Sequence, residues 1–289
     1  MPGNITMTNC NALNTSWLLR DYYNFLRVRM INFLRYFRIE PIITLRTALV
    51  SNVIGFIKSR ESAYRDCIQQ LTLLKELLKK RSFVLIILDA CRYDVFKELF
   101  GKTFKVEKAV TEGTCTIEWF YKTFTVNNAD MKDVIYISGT PYIGRHTVKH
   151  DNMEYNPLRH FANVVEVWKY AFTRIGYAYT VNPFHVMKQL FIQNRLHRDK
   201  KFIVHFMQPH APYPMCYPLQ KYFTMDMSSP DFKLWEALEN NEVDRELVIR
   251  CYKQNLLWVM GFVFTILNMF RGKKIVCLLY TSPSPRDRG

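Results

Sequence analysis

A chain of 289 residues, 49% hydrophobic and 15% aromatic, carries enough apolar material for one large α/β domain or two modest ones, which excludes a largely disordered chain. Its net charge of +15 is unevenly placed, since Ser16 to Lys80 alone holds twelve Lys/Arg against five Asp/Glu. The seven cysteines are odd in number, scattered and without C-x-x-C spacing, which argues against a disulfide scaffold or a zinc ribbon and fits a reducing, cytoplasmic setting.

Residues 1–80 read as a mostly helical basic region that opens without the layout of a signal peptide. In "WLLRDYYNFLRVRMINFLRYFR", Arg20, Arg27, Arg29, Arg35 and Arg38 interleave with aromatic and aliphatic residues at helical spacing. Such a helix suits an anionic membrane surface or an acidic polymer, and equally a core-docked helix with solvated arginines. No stretch reaches about 18 apolar residues free of charge, so any membrane contact is expected to be peripheral rather than spanning. Specific nucleic-acid recognition is not expected. The region closes on the strongly helix-favouring "LTLLKELLKK".

An α/β domain is expected over residues 82–276. Its first element, Phe83–Leu88, is a continuous apolar run, as in a strand covered on both faces, and Asp89 ends it. Ligands of open α/β sheets bind beyond the carboxyl ends of such strands, so Asp89 is a candidate site residue; it could equally cap a helix starting near Tyr93. Asp94 reads as a cap or as a partner of Arg92. Next comes "VTEGTCTIEWF", in which Cys115 and Thr116 offer competing starts for a helix over Thr116–Thr125. A hydroxyl or thiol at a helix N-terminus is placed to attack an anionic ester, although a lone Thr there is more often a plain cap.

Further strands are expected at Asp133–Ser138, Phe202–Met207 and from Lys274, with helices at Pro157–Gly176, Pro183–Leu196 and Arg245–Phe270. Asn156 is a plausible cap with proline at the first helical position after it. Strands alternating with helices imply βαβ units and a mainly parallel sheet flanked by helices. "FIVHFMQPHAPY" carries His205 and His210 at a strand end, where histidine can ligate metal or hold a phosphate oxygen. The end of the chain, "CLLYTSPSPRD", breaks the pattern and resembles a translated sequencing-library adapter. Residues 277–289 are therefore read as an adapter-derived tail, and the natural chain is expected to continue beyond Val276.

Taken together, "IILDACRYD", "GTCTIEWF" and "VHFMQPHAPY" resemble the sulfatase and alkaline phosphatase superfamily, in particular its sulfatase-like branch with small prokaryotic members. The resemblance implies an alkaline phosphatase-like fold and a metal-dependent hydrolase or phosphotransferase acting on phosphate or sulfate esters through a covalent intermediate. Asp89 and Thr116 would hold a divalent metal (Zn, Ca or Mn), Thr116 or Cys115 would be the nucleophile, and His210 with Arg92 would hold the substrate's oxygens. His205 ranks below His210 as a site residue. Two departures qualify this. The sulfatase C-x-P-x-R pattern counted from Cys115 meets Ile117 and Trp119, which favours Thr116 and phosphate esters. The family's later Asp-His metal pair is absent after "GKKIV". The competing reading is a non-catalytic basic protein that binds an anionic membrane surface or an acidic polymer.

Overall fold

The computed structural model describes residues 5–10, 68–113, 115–126, 131–150, 153–175, 178–223 and 232–279. In chain order the strands are β1 (Ile5–Cys10), β2 (Ile68–Gln69), β3 (Phe83–Asp89), β4 (Val106–Val110), β5 (Met131–Ser138), β6 (Val148–His150), β7 (Met153–Tyr155), β8 (Phe161–Glu166), β9 (Phe172–Ile175), β10 (Ala178–Val181), β11 (Lys201–Pro209) and β12 (Lys273–Leu279). The helices are α1 (Gln70–Leu78), α2 (Tyr93–Phe100), α3 (Thr116–Phe120), α4 (Trp168–Ala171), α5 (Pro183–Leu196), α6 (Phe232–Glu239) and α7 (Arg245–Met269). A π-helical turn, Tyr121–Val126, extends α3.

Eight strands form one sheet in the order β2-β4-β1-β12-β3-β11-β5-β8, and every neighbouring pair in it is parallel. Two small antiparallel hairpins, β6–β7 and β9–β10, lie outside it. Strand β3 is central, and all seven of its residues are buried. Both of its faces are covered, which explains the unbroken apolar run. Val84, Ile86 and Leu88 face a core built with α2, α5 and α7. Leu85 and Ile87 face a second core that includes Leu74 and Leu77 of α1 and Trp119 and Phe120 of α3. The parallel arrangement puts the carboxyl ends of β3, β5, β11 and β12 on one edge, where Leu279 and Pro209 both pair with Asp89.

Three expectations are corrected here. The helix expected over Pro157–Gly176 is a single 3-10 turn, Pro157–Arg159, followed by β8, the short α4 and β9. Asn156 does cap that turn through Leu158 N–H at 3.0 Å. Past it, Phe161 and Val164 bury against β5, and edge pairing in the sheet overrides the local start signal. Second, residues 1–80 are not purely helical: Ile5–Cys10 is a strand between β4 and β12, and β2 pairs with β4, so the sheet extends beyond residues 82–276. The basic stretch 17–60 lies outside the described residues. Third, Cys216 and Cys251 form a disulfide with Cα atoms 5.4 Å apart; their separation of 35 residues left no spacing signal in the sequence.

The helix expected over Arg245–Phe270 is present as α7, a 25-residue helix capped by Asp244, and it feeds β12. Strand β12 runs on through Cys277, Leu278 and Leu279, all buried, so the first three residues assigned to the tail complete the strand. The remaining tail residues, 280–289, lie outside the described residues. Among the described residues, no helix is long and apolar enough to cross a membrane.

Candidate active site

Asp89 closes β3, and the turn after it is unusual: Ala90 adopts φ +54°, a left-handed conformation that a side-chain-bearing residue rarely takes without support. The turn aims the Asp89 carboxylate back over the sheet edge, where Oδ1 accepts the Ala90 N–H at 3.0 Å. The Thr116 hydroxyl lies 3.1 Å from Oδ1 and 3.2 Å from Oδ2 and donates to this carboxylate. Asp89 does not cap the following helix, whose N-cap is Arg92.

Burial would by itself raise the Asp89 carboxyl. His205, His210 and the Thr116 hydroxyl outweigh it and hold the group below the usual carboxylate range. The sign of the linkage follows. An unfolded Asp89 binds protons at a higher pH than the folded one, so stability from this group is in place above about pH 4 and is lost as pH falls through the lowered folded value. Urea unfolding between neutral and strongly acid pH is therefore expected to lose part of its acid dependence in Asp89→Asn; an unchanged acid limb would contradict the lowered carboxyl.

Thr116 is the first residue of α3, and Cys115 is its N-cap, with Sγ accepting the Glu118 N–H at 3.5 Å. The competing starts thus resolve into two roles: the thiol caps, and the hydroxyl reaches Asp89. Burial pushes the Cys115 thiol up, with the Glu118 and Asp89 charges adding to it, so little thiolate forms near neutral pH. The helix is seated closely on the chain before it. A Cβ on Gly113 would lie 2.3 Å from the Trp119 backbone nitrogen and 2.5 Å from its Cα. The Thr111 hydroxyl holds that turn through both Gly113 N–H and Gly113 C=O. Gly113→Ala is expected to destabilise the protein by about 1–3 kcal/mol through overpacking against backbone. Thermal unfolding measures it, and an unchanged midpoint would contradict the close seating.

His205, ranked below His210 from the sequence, lies beside the Asp89 carboxylate. It lies inside β11 and is fully buried, with Nδ1 on the Tyr136 hydroxyl at 2.8 Å. Its Nε2 sits 3.6 Å from Asp89 Oδ2 and has no hydrogen-bond partner among the described residues. His205 and Tyr136 both occupy inward positions of apolar strands, and buried polar groups need partners. His205 and Ser138 are paired across β11 and β5, which puts Tyr136 within reach.

His210 comes to the site through its backbone: its N–H donates to Asp89 C=O at 3.0 Å and Met207 C=O at 3.1 Å. Its ring Nδ1 donates to Ala211 C=O at 2.7 Å, which makes Nε2 the acceptor nitrogen of the neutral ring. Arg92, expected to hold substrate oxygens, pairs with Asp94. Its Nε and Nη2 grip Asp94 Oδ1 and Oδ2 at 2.8 and 2.9 Å, a bidentate pair of the strong kind. Asp94 is thus the partner of Arg92, as one of its two sequence readings had it.

The Asp89 carboxylate and Thr116 hydroxyl are hard oxygen donors, and His205 Nε2 is a buried nitrogen aimed at them, so they fit a divalent cation in kind. They do not complete a site. Among the described residues, no group of three or more His, Cys, Asp or Glu could hold a metal ion. The chain matches no family model, no curated protein and no solved structure.

Proposed function

We propose that the protein is a metal-dependent hydrolase or transferase of phosphate or sulfate esters, with Thr116 as nucleophile. The observation that carries this reading is the Thr116 hydroxyl resting on the buried Asp89 carboxylate at the carboxyl edge of a parallel sheet. The alkaline phosphatase-like fold belongs to the same reading.

Asp89 and Thr116 would hold the cation, which when bound would neutralise ester charge and favour the ionised hydroxyl. The chain's own residues do the rest. Asp89 orients the Thr116 oxygen. That oxygen attacks the phosphorus or sulfur centre, the bond to the leaving alcohol breaks, and water or an acceptor alcohol then displaces the covalent ester from Thr116. His210 meets the non-bridging oxygens. Arg92, held by Asp94, contributes positive charge rather than a second clamp. Phosphate is the preferred ester, because Cys115 caps a helix and keeps its proton.

The test is turnover of nitrophenyl phosphate, bis-nitrophenyl phosphate and nitrophenyl sulfate by the protein loaded with Mn²⁺, Zn²⁺ or Ca²⁺. Turnover of the phosphate esters, lost on chelation, supports the proposal. If no ester is turned over, yet the protein binds anionic vesicles in a salt-sensitive way indifferent to Asp89→Asn, the second reading holds. In that case the basic segment 17–60 makes this a peripheral membrane-binding protein.

A further inference from the structure

Helix α7 stands on the opposite face of the sheet from α3, yet three residues of its first turns reach the two loops that carry the site. The Tyr252 hydroxyl donates to Ala90 C=O and accepts the Arg92 N–H, both at 2.8 Å. It therefore brackets the left-handed turn that aims Asp89. Asn255 Nδ2 lies 3.2 Å from Pro209 C=O, 3.1 Å from His210 C=O and 3.4 Å from Pro212 C=O. Cys251 is bonded to Cys216 at the far end of the same loop. All three side chains are buried, and residues at i, i+1 and i+4 share one side of a helix. The two loops also touch directly through His210 N–H and Asp89 C=O.

We propose that Tyr252 and Asn255 are positioning residues, which set the Asp89 turn and the His210 loop in a fixed relation to each other. This rests on the reading above, in which Asp89 holds metal and His210 meets substrate. Neither α7 residue takes part in the chemistry. Tyr252 acts on the Asp89 arm by holding Ala90 at positive φ, so its loss should relax the carboxylate's aim. Asn255 acts on the His210 arm. With two N–H donors shared among three carbonyls, it draws residues 209–212 into one tight bend, and Cys216–Cys251 prevents that bend from paying out toward solvent.

The full chain and its Tyr252→Phe and Asn255→Asp variants separate the arms, with Mn²⁺ and bis-nitrophenyl phosphate as probes. Tyr252→Phe is expected to speed amide exchange about tenfold in residues 89–94 and weaken Mn²⁺ binding about tenfold, leaving exchange in 209–216 unchanged. Asn255→Asp is expected to speed exchange in 209–216 and raise KM about tenfold while Mn²⁺ affinity stays within about twofold. Asn255→Ala replaces it if the carboxylate, set among three carbonyls, prevents folding. Should the unsubstituted chain neither bind Mn²⁺ nor turn over the ester, the metal-ester reading fails. The selective exchange pattern then decides the positioning role by itself. Exchange that rises in both loops together or in neither overturns the proposal. So does selective exchange in an active protein whose Mn²⁺ affinity and KM do not move.

Discussion

Thr116→Ala in the metal-loaded protein is expected to lower kcat on phosphate esters by about a thousandfold or more, because on the proposed mechanism it removes the attacking oxygen. Metal should remain bound, though more weakly, since the Asp89 carboxylate is untouched and only the Thr116 oxygen is lost from the pair that would hold it. Thr116→Ser keeps the hydroxyl on Asp89 and should restore part of the rate, which separates lost chemistry from the roughly 0.5–1.5 kcal/mol that losing one hydrogen bond to the buried carboxylate costs. Asp89→Asn removes the anionic oxygen itself. It should weaken metal binding by more than the roughly 10–100-fold that losing an outer-shell partner costs. Cys115→Ala removes only a weak helix cap and should leave kcat near its starting value, while His210→Ala should act on KM. An enzyme that keeps its rate in Thr116→Ala and loses it in Cys115→Ala would reverse the choice of nucleophile and return the reading to sulfate esters. Full activity in Asp89→Asn would remove the metal-dependent mechanism.

Trp119→Ala should give the largest loss of stability, about 3–5 kcal/mol as for other buried large aromatics cut to alanine. Trp119 is 1% exposed and ties three parts of the fold together. Its indole N–H donates to Gln70 Oε1 of α1 at 2.8 Å, and its ring meets Phe124 edge-on at 5.3 Å. It also stands edge-on to the His205 ring at 6.1 Å. Gln70 in turn reaches Cys277 of β12 through Nε2. Removing the indole therefore strands a buried amide oxygen as well as opening a cavity, and it loosens the helix that presents Thr116. Trp119→Phe retains ring volume and loses the donor, so it should cost markedly less. Equal losses in the two variants, measured by urea unfolding, would show that packing contributes little at this position.

The elements that could be read from the sequence are those whose cause is local. Pro183–Leu196 forms with the expected bounds because Asn182 accepts the Phe184 N–H at 3.0 Å and proline follows at the first helical position. The run Phe83–Leu88 announces a doubly covered strand because each face of the sheet is buried by helices, and Asp89 stands out as the first carboxylate past it. Such signals are written in neighbouring residues, so a linear reading finds them.

What tertiary structure alone decided is which of these residues meet. Ile5–Cys10 becomes a strand because β4 and β12 flank it, and Phe161–Glu166 becomes one because β5 offers an edge, despite a helix-start signal just before it. The same holds for Cys216 with Cys251, and for the hydroxyl of Tyr252 on the turn after Asp89. His205 had no motif to mark it. Its place beside Asp89 follows from the parallel register of β11 against β3 and the irregularity between Phe206 and Pro209. Register is set by the summed burial of whole strands, and a shift of one residue would turn His205 to the other face. Composition and local spacing specify which groups are available for a site, whereas the pairing of strands distant in sequence brings them within bonding distance.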